Sequence, residues 1–249
     1  MKDFPTIFGI DLAWGEKNPD GIARLVFDSD RADARLVEAE VSLSFGDVSL
    51  LDHLPEAGAG LCFLAIDAPL ICPNETGSRP VDRECSAKFR SFEAGAHPAN
   101  QKLCRRPLRI AGLLRERGFA ITTQLGSSSR VAAEVYPHPA TLRFFELNKT
   151  IKYKRGLVAD RRREFARYQC LLRDWLDREI PGMTELSSIA ECLSLPWSKP
   201  IEDQTDAILC AVIGWHHVRY RGRQSEVLGD DESGHMIIPA PSVGGRPNE

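Results

Sequence analysis

The stretch Leu61-Cys62-Phe63-Leu64-Ala65-Ile66-Asp67 constrains the fold more than any other. It runs apolar without alternation and then closes on a carboxylate, with Ala68-Pro69-Leu70 stopping it at once. A strand with one wet face alternates, so an unalternated run predicts a central parallel strand covered on both faces. The chain has 249 residues and is 43% hydrophobic, enough for such a layered core. A charged fraction of 27% and a net charge of −3 exclude a disordered, collagenous or supercharged chain. No apolar run approaches the ~18 residues of a membrane span. Met1-Lys2-Asp3-Phe4-Pro5 lacks the apolar stretch of a secretion signal. The expectation is a soluble, cytoplasmic protein with no membrane partner.

The seven cysteines, at 62, 72, 85, 104, 170, 192 and 210, are scattered, and no two have the close C-x₂₋₄-C spacing of a zinc site or redox dithiol. They read as thiols of a reduced compartment, mostly small core residues. Cys85 has charged neighbours, which is compatible with a reactive thiol or with a merely half-buried one.

Upstream of the central strand, Thr6–Leu12, Ile22–Phe27 and Ala34–Leu43 read as a three-stranded meander, with Asn18-Pro19-Asp20-Gly21 and Asp28-Ser29-Asp30 as turns. Asp47–Leu54 reads as a short helix, and Cys72–Asn100 as a long, partly ordered loop. Helices are expected over Gln101–Gly118, Pro139–Leu147, Asp160–Glu179 and after Pro200, with a buried strand at Val131–Tyr136 and a short closing strand at Ile237-Ile238. The fold class is therefore α/β: a mixed five-stranded sheet flanked by helices, extra helices preceding the last long one. It forms one domain over 1–239, followed by a loose tail over 240–249.

Charge is unevenly distributed. Residues 1–78 carry −9, residues 79–178 carry +12, and residues 179–249 carry −6. A basic middle third suits an anionic partner, although Arg161-Arg162-Arg163 also reads as a solvated helix face.

The informative residues are acids that end apolar strands. Asp is depleted in strands and a buried unpaired carboxylate is costly. Yet Asp11, Asp67 and Glu134 each close an apolar run at the strand end where open α/β sheets place ligands. Asp203 and Asp206 stand at i and i+3 where the last helix begins. Asp203 reads equally as a helix cap or a ligand. Carboxylates from separate elements need cations, and hard oxygen donors suit Mg²⁺ or Mn²⁺, one ion or a pair.

Gly9-Ile10-Asp11, Ile66-Asp67 and Asp203-x-x-Asp206 resemble the acidic core of the ribonuclease H-like superfamily, the last being similar to the helix of Holliday-junction resolvases. More closely, the chain resembles the predicted-nuclease family catalogued as domain of unknown function 429. The resembling segments are Gly9–Trp14, Ile66–Leu70, Gly95–Asn100, Glu134–Pro139, Lys152–Lys154 and Asp206–Ala211, with Gly229-Asp230 and Ile237–Pro239 as the closing piece. The resemblance implies a metal site on Asp11, Asp67, Asp203 and Asp206, with Glu134 as a further ligand or a shaping residue.

The expected activity is metal-dependent phosphodiester hydrolysis of a nucleic acid or nucleotide. Arg83, His97, Asn100, His138, Lys152 and Lys154 form the expected substrate-binding set. His97 and His138 also read as structural loop histidines, and Lys152-Tyr153-Lys154-Arg155 as a solvated loop. Trp14 either stacks on a base or packs. A non-catalytic nucleic-acid- or protein-binding scaffold is the alternative. An actin-like or sugar-kinase-type phosphotransferase is a weaker fit, because Pro69 stands where that class needs a glycine-rich phosphate loop.

Overall fold

The computed structural model describes residues 5–28, 34–56 and 60–241. The turn residues Ser29 and Asp30 and most of the tail, 242–249, lie outside that set. Strands β1 (Thr6–Asp11), β2 (Asp20–Asp28) and β3 (Arg35–Ser44) form the antiparallel meander. Strand β4 (Cys62–Ile66) is buried along its whole length and pairs in parallel with β1. The two-residue strand β5 (Ala120–Ile121) and β6 (Arg130–Glu134) follow, giving the order β3-β2-β1-β4-β6-β5. The mixed α/β sheet is as expected, with β5 as a sixth, edge strand.

Alternation along β1 and β4 distributes the core between the two faces. Ile7, Phe63 and Ala65 pack beneath α5 (Val158–Glu179) and α7 (Lys199–Arg219). Phe8, Ile10, Leu64 and Ile66 pack beneath α1 (Gly46–Asp52) and α3 (Arg105–Glu116). The extra helices before α7 are α5 and α6 (Ser187–Cys192).

Two regions depart from expectation. The segment read as a loop, Cys72–Asn100, contains α2 (Pro80–Phe89), whose Val81, Cys85 and Phe89 recur at helical spacing and are buried. Pro80 opens this helix, where a missing N–H costs nothing. Cys85 is accordingly inert, since burial pushes its thiol up to about 12. The closing strand β8 (Gly234–Pro239) pairs with β7 (Ser225–Asp230) in a separate ribbon. That ribbon packs on α2 and α4 (Pro137–Phe144) and joins the end of β6 through a Val135–Ile237 bridge.

A candidate acidic site beside a basic cavity

β1 and β4 run parallel, with Ile10 beside Ile66 and the Asp67 amide donating to the Ile10 carbonyl at 2.9 Å. Asp11 and Asp67 therefore leave the same edge of the sheet side by side. Helix α7 brings the other two acids. A Cβ on Gly9 would lie 2.1 Å from the Ala207 carbonyl oxygen, and one on Gly21 would lie 2.0 Å from that of Asp203. Only glycine leaves the room that lays the helix backbone against β1 and β2. Its first turns, with Asp203 and Asp206, then sit over the carboxyl end of β1.

The sequence places a cation among these acids. Lys154 Nζ lies 2.7 Å from Asp206 Oδ2, and the Tyr153 hydroxyl donates to Asp206 Oδ1 at 2.7 Å. Asp206 and Tyr153 are buried, and Tyr153 stacks on Tyr168. Lys199 Nζ answers Asp203 Oδ1 at 2.7 Å. The second oxygen of Asp203 is buried without a hydrogen-bond partner, and its carboxyl is within hydrogen-bonding reach of Asp11.

Burial is the main cause of the acids' altered protonation. It lifts Asp67 to about 7, with Lys154 opposing and Asp206 adding. It lifts Asp11 well above the usual carboxylate range, with Lys154 opposing and Asp206, Asp67 and Asp203 adding. Burial also works against the charge of Lys154, yet Asp206, Asp11 and Asp67 outweigh it and hold the ammonium well above its ordinary pKa.

Asp11, Asp67 and Lys154 border a cavity of about 240 Å³ that is also lined by Trp14, Glu134 and Tyr136. Trp14 is 37% exposed there. A larger cavity of about 740 Å³ adjoins it, sharing Ala96, His97, Tyr136, His138 and Lys154 and adding Arg90, Lys152 and Arg155. Burial, with Lys154, His97 and Arg155 adding, depresses His138 to about 3, so it is neutral near pH 7. His97 contacts Arg155 at 3.1 Å, and Lys152 reaches Glu93 at 2.5 Å.

The structure thus brings Asp11, Asp67, Asp203 and Asp206 together, and sets His97, His138 and Lys152 on the adjoining cavity. Glu134 lies beside β4 and borders the smaller cavity, but both its oxygens are held by Arg79 at 2.7 Å. Arg79, itself buried, also grips Asp82 and the Ile71 carbonyl. Glu134 is a wall carboxylate.

Three expected substrate residues are engaged with the protein itself. Lys154 faces the acids. Asn100 is buried and pins its loop through the Gly77 carbonyl and the Lys102 and Leu103 amides. Arg83 holds the Ser78 carbonyl. Much of the basic third is also spent internally: Arg106 pairs with Asp20 and Asp47, Arg109 with Asp47 and Glu16, and Arg163 and Arg167 with acids of their own helix. Arg79 and Arg90 escaped the sequence reading, because Arg79 is tied to Glu134, 55 positions on, and Arg90 meets Lys152 and Arg155 only on the wall of the larger cavity.

The donor chemistry suits a hard divalent cation: carboxylate oxygens in excess of the cations that answer them, and one buried oxygen of Asp203 left without a hydrogen bond. Among the described residues, however, no three His, Cys, Asp or Glu side chains are spaced to hold one ion. The ammonium of Lys154 sits against one of them, Asp206. No helix is long and apolar enough to cross a membrane, among the described residues.

The model of a family described as protein of unknown function (DUF429) matches residues 9–233. Searches of curated proteins and of solved structures return no match.

Proposed function

The chain belongs to the DUF429 family, and on that premise we propose that it is a metal-dependent phosphodiester hydrolase acting on a nucleic acid or nucleotide. The observation that carries this reading is the continuity of an acidic cavity with a basic one, joined at Lys154. A phosphodiester is anionic, so its site needs basic groups to hold it and must offset the repulsion of its own carboxylates. Asp11, Asp67 and Asp206 would hold Mg²⁺ or Mn²⁺, with Asp203 behind them. When bound, such an ion supplies Lewis acidity at the phosphoryl oxygens.

Arg155, Arg90 and Lys152 hold the phosphate in the larger cavity. His138, neutral through burial, offers a hydrogen bond without adding charge. Tyr136 and Trp14 present rings to the substrate, and Glu134 shapes the wall through Arg79.

The test is a cleavage panel of single-stranded DNA, RNA, a branched junction and a dinucleotide, with Mg²⁺ or Mn²⁺ and Asp67→Asn as control. Divalent-dependent cleavage lost in the variant is expected. Cleavage that survives Asp67→Asn overturns the reading. A non-catalytic scaffold is favoured by one observation, the pairing of Asp206 with Lys154. It predicts oligonucleotide binding without divalent-dependent turnover.

A further inference from the structure

We propose that Lys154 is the built-in counter-cation of the acidic cluster, and that a divalent ion enters by displacing its ammonium into the basic cavity. The inference rests on the metal-dependent reading above and names the residue that regulates ion entry. Asp206 Oδ2, a predicted ligand oxygen, already lies 2.7 Å from Lys154 Nζ. The same ammonium acts electrostatically on Asp11 and Asp67. An ion bound by those carboxylates and the ammonium would occupy the same place, and two cations in contact repel strongly at low dielectric. Asp203, whose Oδ1 faces Lys199, keeps its buried Oδ2 without a hydrogen-bond partner, a further donor beside the cluster.

The fold supplies a route out. Tyr153 is wholly buried, bonded to Asp206 and stacked on Tyr168 with ring centres 4.8 Å apart, so the backbone beside Lys154 is fixed. The Lys154 side chain is different, being 29% exposed and bordering both cavities. Its flexible four-carbon stem can turn while the loop stays in place. On the far side it meets Arg155 and Lys152, which repel it unless an anion is present. Displacement by the ion and arrival of a phosphate group therefore favour one another, a positive coupling between the two ligands.

The test uses Mn²⁺ alone, followed by the paramagnetic resonance of the free ion, on the native chain, Lys154→Met and Asp67→Asn. Lys154→Met keeps the stem and removes the charge, and is expected to bind Mn²⁺ about tenfold more tightly or better. In parallel, acetylation of the native chain with an activated ester, read by mass spectrometry, is expected to modify Lys154 slowly without Mn²⁺ and faster as the ion saturates. This second measurement stands even if Lys154→Met fails to fold. Equal or weaker Mn²⁺ binding by Lys154→Met, or labelling of Lys154 indifferent to the ion, overturns the displacement. If native binding is then lost in Asp67→Asn, the hydrolase reading survives that failure. No Mn²⁺ binding by the native chain or by Lys154→Met overturns both.

Discussion

Gly9 of β1 and Ala207 of α7 meet backbone to backbone, with space for a hydrogen where any other residue carries a carbon. This contact sets the height of α7 over the sheet, and through it the position of Asp203 and Asp206. Gly9→Ala is expected to destabilise the fold by about 3 kcal/mol or more, because neither backbone can yield without moving the helix. Urea denaturation measures it. A loss below about 1 kcal/mol would mean that the helix slides freely and does not fix the acids.

Arg79 holds Glu134 and Asp82, all three side chains buried. Arg79→Met strands both carboxylates, with an expected cost of about 3–5 kcal/mol in the same measurement. Glu134→Gln should leave Mn²⁺ affinity within about twofold of native, since its oxygens are turned to Arg79 and independent sites couple weakly. A drop of about tenfold would return Glu134 to the ligand set.

Stability should carry a pH signature from Asp67. Burial lifts its carboxyl from 3.8 to about 7 in the folded chain. Between those values the folded state retains a proton that the unfolded state has released, so this residue's contribution falls as pH rises through that window. Asp67→Asn removes the effect. Its Tm relative to native, in the presence of a chelator, should therefore rise between about pH 5 and about pH 7.5. A difference that is flat across that range would show that Asp67 titrates as an ordinary carboxylate.

Binding of a short single-stranded oligonucleotide in the presence of Mn²⁺ should weaken with salt. Arg155→Ala is expected to lower the log–log slope by about 0.7, the value of one phosphate contact on a single strand. Arg83→Ala should leave the slope unchanged, because Arg83 is occupied with the Ser78 carbonyl. Equal slopes for native and Arg155→Ala would place the phosphate elsewhere.

The sheet was legible because its signals are local. Apolar runs ending in Asp11, Asp67 and Glu134 announce buried strands, and the 3.6-residue stripe of α5 and α7 announces helices. Helix α2 was hidden by Pro80, which serves equally as a breaker and as a first helical residue. Strand β5 is two residues long, too short to show a period. Asp11, Asp67 and Asp206 could be grouped because each interrupts or abuts an apolar segment, and Asp203 joined them only by its i, i+3 spacing to Asp206. Lys154 could not be told from Lys152 and Arg155, since what separates them is burial imposed by acids on β1, β4 and α7. The same non-locality concealed the internal pairing of Arg79 and Arg106.

The smaller cavity is bordered by Asp11 near the start of the chain and Met236 on the closing ribbon. During synthesis this pocket cannot close until residue 236 has left the ribosome, which at about 5–20 residues per second takes on the order of ten seconds or more. For most of that interval, until α7 is complete at Arg219, the meander and β4 wait with unshielded carboxylates at their ends and no helix to cover β1. A nascent chain of this design thus lacks the assembled pocket until Met236 has joined Asp11. Its slow folding step is expected to be the docking of these late segments onto strands made first.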